Sequence, residues 1–137
     1  MYQAASGDCT IVARVTGVEN TDASAKVGVM IRTTLNTDSM YALLSVKPNG
    51  GLEFLRRTTA GGSTSVTSAS STLPRWVRLV RSGNTLTASH SSDGSTWTTV
   101  GSETITMGTN VYIGMAVNSH NDGTLCTGTF TNVTATP

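Results

Sequence analysis

Eight carboxylates are the first residues to weigh for chemistry: Asp8, Glu19, Asp22, Asp38, Glu53, Asp93, Glu103 and Asp122. Glycoside hydrolysis needs two carboxyl groups within several ångströms, one as acid and one as nucleophile or base. On a strand, residues two apart share a face. None of the eight lies within two residues of another, so no single strand supplies the pair. Convergence from separate strands stays open, and a glycoside hydrolase is the third functional alternative. Most of these acids stand in turn-like sequence, where Asp is expected for backbone reasons.

The other reactive side chains are scattered. His90 and His120 are the only histidines, and neither has a second His or a Cys at ligand spacing, so no metal site is expected. His90 reads as the end of a core-facing row. His120 sits in Asn118-Ser119-His120-Asn121-Asp122-Gly123, at the rim of a binding face or simply solvated. No Ser/His/Asp order, nucleophile elbow or phosphate-binding glycine loop occurs. Ser92-Asp93-Gly94-Ser95-Thr96-Trp97 resembles the aspartate-box turn of sialidases, one residue short; it reads as a hairpin turn pinned by a packed Trp97.

Composition narrows the class further. The 137 residues suit one domain, residues 1–137. Hydrophobic residues make up 37%, and no apolar run approaches a membrane span, so no membrane insertion is expected. Charged residues are 12%, about half the usual share of roughly 25%, with Thr, Ser and Gly in their place. That suits a secreted or cell-surface β-protein. The net charge of +1 implies no long-range attraction to nucleic acid. Arg56, Arg57, Arg75, Arg78 and Arg81 cluster locally and read as a solvated sheet face. Met1-Tyr2-Gln3 does not read as a signal peptide. The expectation is a module excised from a longer secreted protein, with that protein's other domains as neighbours.

Alternation with period two dominates, with no amphipathic helix. Strands are expected over 9–18, 26–33, 40–47, 51–58, 62–68, 75–82, 85–91, 96–101, 111–119 and 124–134. Turn residues separate them, among them Pro48-Asn49-Gly50-Gly51, Gly83-Asn84 and Asp93-Gly94. A two-residue Gly83-Asn84 turn sets Ser82 opposite Thr85, Leu79 opposite Ala88 and Val77 opposite His90. Val77, Leu79, Leu86 and Ala88 then face the core, and Trp76, Arg78, Val80, Thr87 and Ser89 face outward. The same split separates Val27, Val29 and Ile31 from Gly28, Met30 and Arg32. It also separates Ala42, Leu44 and Val46 from Tyr41, Leu43 and Ser45.

The ordered series Lys26-Val27-Gly28-Val29-Met30-Ile31-Arg32, Trp76-Val77-Arg78-Leu79-Val80-Arg81-Ser82-Gly83-Asn84, Ser92 to Trp97 and Tyr112-Ile113-Gly114-Met115-Ala116-Val117 resembles a known group. It is similar to a bacterial domain family of unassigned function in the concanavalin A-like lectin/glucanase superfamily, akin to laminin-G-like jelly rolls. The resemblance covers about Gly7 to Val133. It implies an all-β, two-sheet antiparallel β-sandwich, one sheet convex and one concave. It also implies an accessory role in secreted carbohydrate-active or surface proteins, and one more strand ahead of residue 1. Glucanases of the superfamily carry two glutamates and an aspartate close together on one strand, and this chain has no such trio.

From here the expected function is a non-catalytic carbohydrate-binding accessory module whose partner is a polysaccharide or other glycan. Sugars offer apolar C–H faces to aromatic rings and hydroxyl edges to Arg, Asn or Asp. The outward faces supply Trp76, Tyr112, Tyr41, Arg32, Arg78 and Asn118, with His120 at the rim. Gly28 and Gly114 would lower the floor for a ligand. The alternatives are that these aromatics pack against loops and one another, and that the domain is a structural or adhesive spacer without a small ligand. No cofactor is expected. A structural calcium on Glu19, Asn20 and Asp22, or on Asn121 and Asp122, is weighed and not favoured, since Asx turns explain these residues.

Two cysteines, Cys9 and Cys126, invite a disulfide. If the first and last strands pair antiparallel, as the fold implies, roughly seven residues at about 3.3 Å each separate the two along the ladder. A bridge needs Cα atoms within about 7 Å. Two unpaired thiols are therefore expected. Asn132-Val133-Thr134 would accept a glycan only in a eukaryotic host.

Overall fold

The alternating pattern folds as two stacked antiparallel sheets. The computed structural model describes residues 2–18, 26–34, 36, 38–118 and 128–136, with side chains described at 4–16, 26–34, 36 and 38–116. The strands are β1 Tyr2–Ser6, β2 Cys9–Val18, β3 Lys26–Arg32, β4 Tyr41–Val46, β5 Leu52–Arg57, β6 Ser65–Ala69, β7 Arg75–Ser82, β8 Thr85–Ser91, β9 Thr98–Thr104, β10 Asn110–Asn118 and β11 Gly128–Thr136. One sheet has six strands in the order β1-β10-β3-β4-β5-β6, the other five in the order β11-β2-β7-β8-β9. Among the described residues no helix occurs.

The core lies between the two inner faces. Val27, Val29 and Ile31 of β3, Ala42, Leu44 and Val46 of β4, and Leu52 and Phe54 of β5 are sealed from solvent. They meet Ile11, Ala13 and Val15 of β2, Val77 and Leu79 of β7, and Leu86 and Ala88 of β8. Each large side chain buried this way contributes about 1.5–3 kcal/mol. Ile105 and Met107, in the connection after β9, are buried in the same cluster.

The β7–β8 hairpin has the expected register: Ser82 faces Thr85, Leu79 faces Ala88 and Val77 faces His90. Gly83 takes φ +62°, the left-handed conformation such a tight turn requires. His90 ends the inner row as expected; burial, then Arg75, pushes its imidazole pKa below the usual value.

Three expectations are corrected. Residues 2–6 form a strand, β1, which pairs with β10 from Tyr2↔Gly114 to Ser6↔Asn110. Its Tyr-Gln-Ala-Ala-Ser is too short and mixed to show alternation. Strand β9 begins at Thr98 rather than 96, because the Asp93 turn runs on to Trp97. The arginine cluster is not one solvated face: its members are spread over both sheets, with Arg57 and Arg78 partly exposed and Arg81 buried. Arg81 is 4% exposed and donates to the carbonyls of Gly7, Gly83, Gly108 and Thr109, tying three connections together. Arg56 points inward and crosses from β5 to Glu103 of β9 at 3.2 Å, linking the two sheets.

The first long strand and the last do pair antiparallel, with Thr10 opposite Thr136 and Val18 opposite Gly128. Cys9 is a buried free thiol. Cys126 lies outside the described residues, as do Glu19, Asn20, Asp22, Asn121 and Asp122 of the weighed calcium loops.

Candidate functional site

The outer face of the six-stranded sheet brings part of the expected site together. Registers across three adjacent strand pairs place Tyr112 opposite Arg32, Arg32 opposite Tyr41, and Tyr41 opposite Arg57. Ring and guanidinium therefore alternate along one row, one residue per strand. All four are half-buried, so each keeps surface that solvent reaches.

Two loops brace this row. Arg32 donates from Nε to the Thr34 carbonyl at 2.6 Å and from Nη2 to the Asn36 carbonyl at 2.5 Å. Ser39, 2% exposed, accepts from the Thr34 amide and lies 3.1 Å from the Thr33 hydroxyl. The Gly61 amide donates to the Asp38 carbonyl, which joins the 58–62 segment to the loop before β4. Tyr41 Oη lies 3.0 Å from Thr64 Oγ1, and the Arg57 guanidinium carbon sits 5.4 Å from the centre of the Tyr41 ring. Part of the row thus packs against loops, as the alternative reading anticipated.

The next row on the same face is apolar: Gly114, Met30, Leu43, Leu55 and Val66 lie in register. Val66, on the edge strand, is 50% exposed. Beyond it, Lys26 and Glu53 form an ion pair at 3.0 Å. Beside Tyr112 an open depression of about 480 Å³ is lined by Ala4, Ser6, Thr33, Asn110 and neighbours. The face grades from aromatic and cationic, through apolar, to a neutralised pair.

The remaining expected residues fall elsewhere. Trp76 and Arg78 lie on β7, so they face outward from the five-stranded sheet, on the opposite surface of the sandwich. There Arg78 stacks over Trp97, 4.3 Å from its ring centre. Gly94 rests on the Trp76 ring: a Cβ there would stand 2.9 Å from Cε2. The Asp93 carboxylate accepts from the amides of Ser95 and Thr96 and the hydroxyl of Ser91, which hold its pKa down to about 2. The segment is the hairpin turn the sequence suggested, joining β8 to β9, but the ring packed against its glycine is Trp76, while Trp97 lies under Arg78. The site expected as one patch is therefore two patches back to back.

Asn118 is in register with Lys26, on the Tyr112 face but six residues along β10, about 20 Å away at 3.3 Å per residue. His120 lies outside the described residues. Gly28 does not lower the floor for a ligand. A Cβ there would run into the Leu44 carbonyl, so its role is the close approach of β3 to β4. Arg57 was the residue missed. Its signal was present, because strands 40–47 and 51–58 are symmetric about Asn49, which sets Tyr41 opposite Arg57.

Among the described residues no three His, Cys, Asp or Glu side chains gather as metal ligands. Glu53 and Glu103, the acids on strands of the two sheets, are each paired with a cation.

No protein-family model matches the chain, and no curated protein is significantly similar to it. Solved structures do share its fold. A functionally unknown protein from Saccharomyces cerevisiae superposes with TM-score 0.78 at 18% identity, over 99% of this chain and 72% of that one. A GH43 protein from Bacillus licheniformis gives TM-score 0.74 at 10% identity, over 94% of this chain. The alginate lyase from Klebsiella pneumoniae gives 0.62 at 18% identity, over 96% of this chain. This chain spans only 27% of the GH43 protein and 60% of the lyase. What it shares with all three is the architecture, a jelly-roll-like β-sandwich.

Proposed function

We propose that the chain is a non-catalytic glycan-binding module of a secreted or surface protein, and that it binds through the outer face of the six-stranded sheet. The observation that carries this reading is the in-register row Tyr112–Arg32–Tyr41–Arg57. Tyrosine rings on two strands offer flat apolar surface to sugar C–H faces, and guanidinium groups between and beside them donate to hydroxyl edges. The apolar Leu43–Leu55–Val66 row extends the contact surface, and the depression beside Tyr112 gives a chain end room. The fold is shared with proteins whose names include a GH43 protein and an alginate lyase, which suits a carbohydrate-related module. The ion-paired state of Glu53 and Glu103 supports a binding rather than a hydrolytic role.

One observation favours the spacer reading instead. Arg32 and Tyr41 also hold the loops around residues 34–36 and 64, a purely structural use of the same side chains.

A glycan array with plant and bacterial polysaccharides separates the two. Binding that Tyr112→Ala abolishes and Trp76→Ala leaves unchanged is the expected result. No binding to any glycan, or loss with Trp76→Ala alone, overturns it. Release of reducing sugar above blank overturns the non-catalytic part.

A further inference from the structure

We infer that this face takes the end of a glycan chain, its terminal sugar seated in the depression beside Tyr112 and the rest running back over Tyr112 and Tyr41. This rests on the glycan-binding reading and adds to it the part of the polymer that is recognised.

The outward row changes character at one end. Ala4, Tyr112, Arg32, Tyr41 and Arg57 stand in register, one per strand. Ring and guanidinium alternate as far as Tyr112, and the row then drops to the methyl group of Ala4. At that step the depression opens, with a volume of about 480 Å³. Such a volume suits a small ligand, whose sites span about 300–1,000 Å³. Tyr112 and Tyr41 lie two strand spacings apart, roughly 10 Å, so one chain of several sugars can use both rings.

The lining suits a sugar with no further neighbour. An internal sugar is linked on both sides and offers its apolar faces, which rings along a flat row satisfy. A terminal sugar has one more free hydroxyl and needs hydrogen-bonding partners around its edge. Ser6 from β1, Thr33 from the loop after β3, and Asn110 and Tyr112 from β10 bring hydroxyl and amide groups to the depression. Among the described residues, the side chains of Ser6, Asn110 and Tyr112 make no hydrogen bond within the chain. Each can therefore donate to and accept from ligand hydroxyls. Strand β1 is the outermost of its sheet, so its backbone edge adds N–H and C=O groups beside the same depression. No lining residue is charged, which suits hydroxyls and not an ionic group.

Calorimetric titration tests this with xylan, mannan and glucan, and with any further glycan bound on the array. Each is supplied as a tetrasaccharide, a hexasaccharide and a soluble linear polymer of known chain length. The expected result is one protein molecule per chain at every length, with the same affinity per chain. Asn110→Ala should lose about tenfold in affinity, the scale of one lost hydrogen bond. Ser6→Met, which fills the depression, should lose as much or more. Both positions are exposed, and thermal unfolding of the variants controls for folding. Several protein molecules per polymer chain, rising with length, overturn end recognition and leave glycan binding standing. Unchanged affinity in both variants overturns the depression as the seat of the terminal sugar. No binding in any series overturns the glycan-binding reading, and end recognition with it.

Discussion

Tyr41 and Arg57 face each other across the β4–β5 ladder, with the guanidinium carbon 5.4 Å from the ring centre and the phenol oxygen 3.0 Å from Thr64 Oγ1. The ring therefore has two separable roles, a stacking surface and a tether for the loop before β6. Tyr41→Phe keeps the first and loses the second. We expect a stability loss of about 0.5–1.5 kcal/mol by urea denaturation with glycan retention preserved. Tyr41→Ala should lose both.

Arg81 is the latch at one end of the sandwich. Arg81→Met removes the side-chain donor to the carbonyls of Gly7, Gly83, Gly108 and Thr109, of which Thr109 keeps the Gly7 amide. The expected cost is about 2–4 kcal/mol in denaturant unfolding. Arg81→Lys should recover only part, because an ammonium offers three donors with no planar fork. A loss below about 0.5 kcal/mol in Arg81→Met would show that water replaces the latch.

Two glycines with positive φ should respond differently to alanine. Gly94 has φ +79° and the Trp76 ring against its Cβ position, whereas Gly83 has φ +62° and open space. Gly94→Ala combines strain with a clash and should cost about 2–3 kcal/mol. Gly83→Ala should cost about 1–2 kcal/mol, from strain alone. Tryptophan fluorescence should shift in the first variant and not in the second.

Asp93 gives the turn a defined acid sensitivity. Its pKa is lowered to about 2 by backbone and hydroxyl donors. An unfolded Asp titrates near 3.9. The stabilisation is therefore fully present above about pH 4 and is lost as pH falls through about 2. Asp93→Asn should remove this part of the pH dependence. Melting curves between pH 2 and 5 that stay parallel for the two proteins would refute the assignment.

Cys9 is buried, and desolvation, offset in part by Arg81, raises its pKa. The thiolate is the reactive form. Iodoacetamide should leave Cys9 unmodified in the folded protein at pH 8 and alkylate it rapidly in urea, read by peptide mass spectrometry. Modification at equal rates in both states would contradict its burial.

How much of this was legible depends on the range of the signal. The β7–β8 hairpin was readable residue by residue, because Gly83-Asn84 sets the register and period two assigns Val77, Leu79, Leu86 and Ala88 to the core. Tyr41, Tyr112 and Arg32 were correctly assigned to outward positions by the same alternation. Strand β1 was not legible, since its pairing with β10 joins segments about a hundred residues apart and Tyr2–Ser6 carries no pattern of its own.

From sequence alone came the class, the core faces and the inventory of outward aromatics and guanidiniums, all of which are local consequences of a two-residue repeat. Only the folded chain decided which strands share a sheet. Alternation tells a side chain whether it points in or out, but a sandwich has two outsides. That choice rests on long-range pairing, which sent Trp76 and Arg78 to one surface and set Arg57 beside Tyr41 on the other.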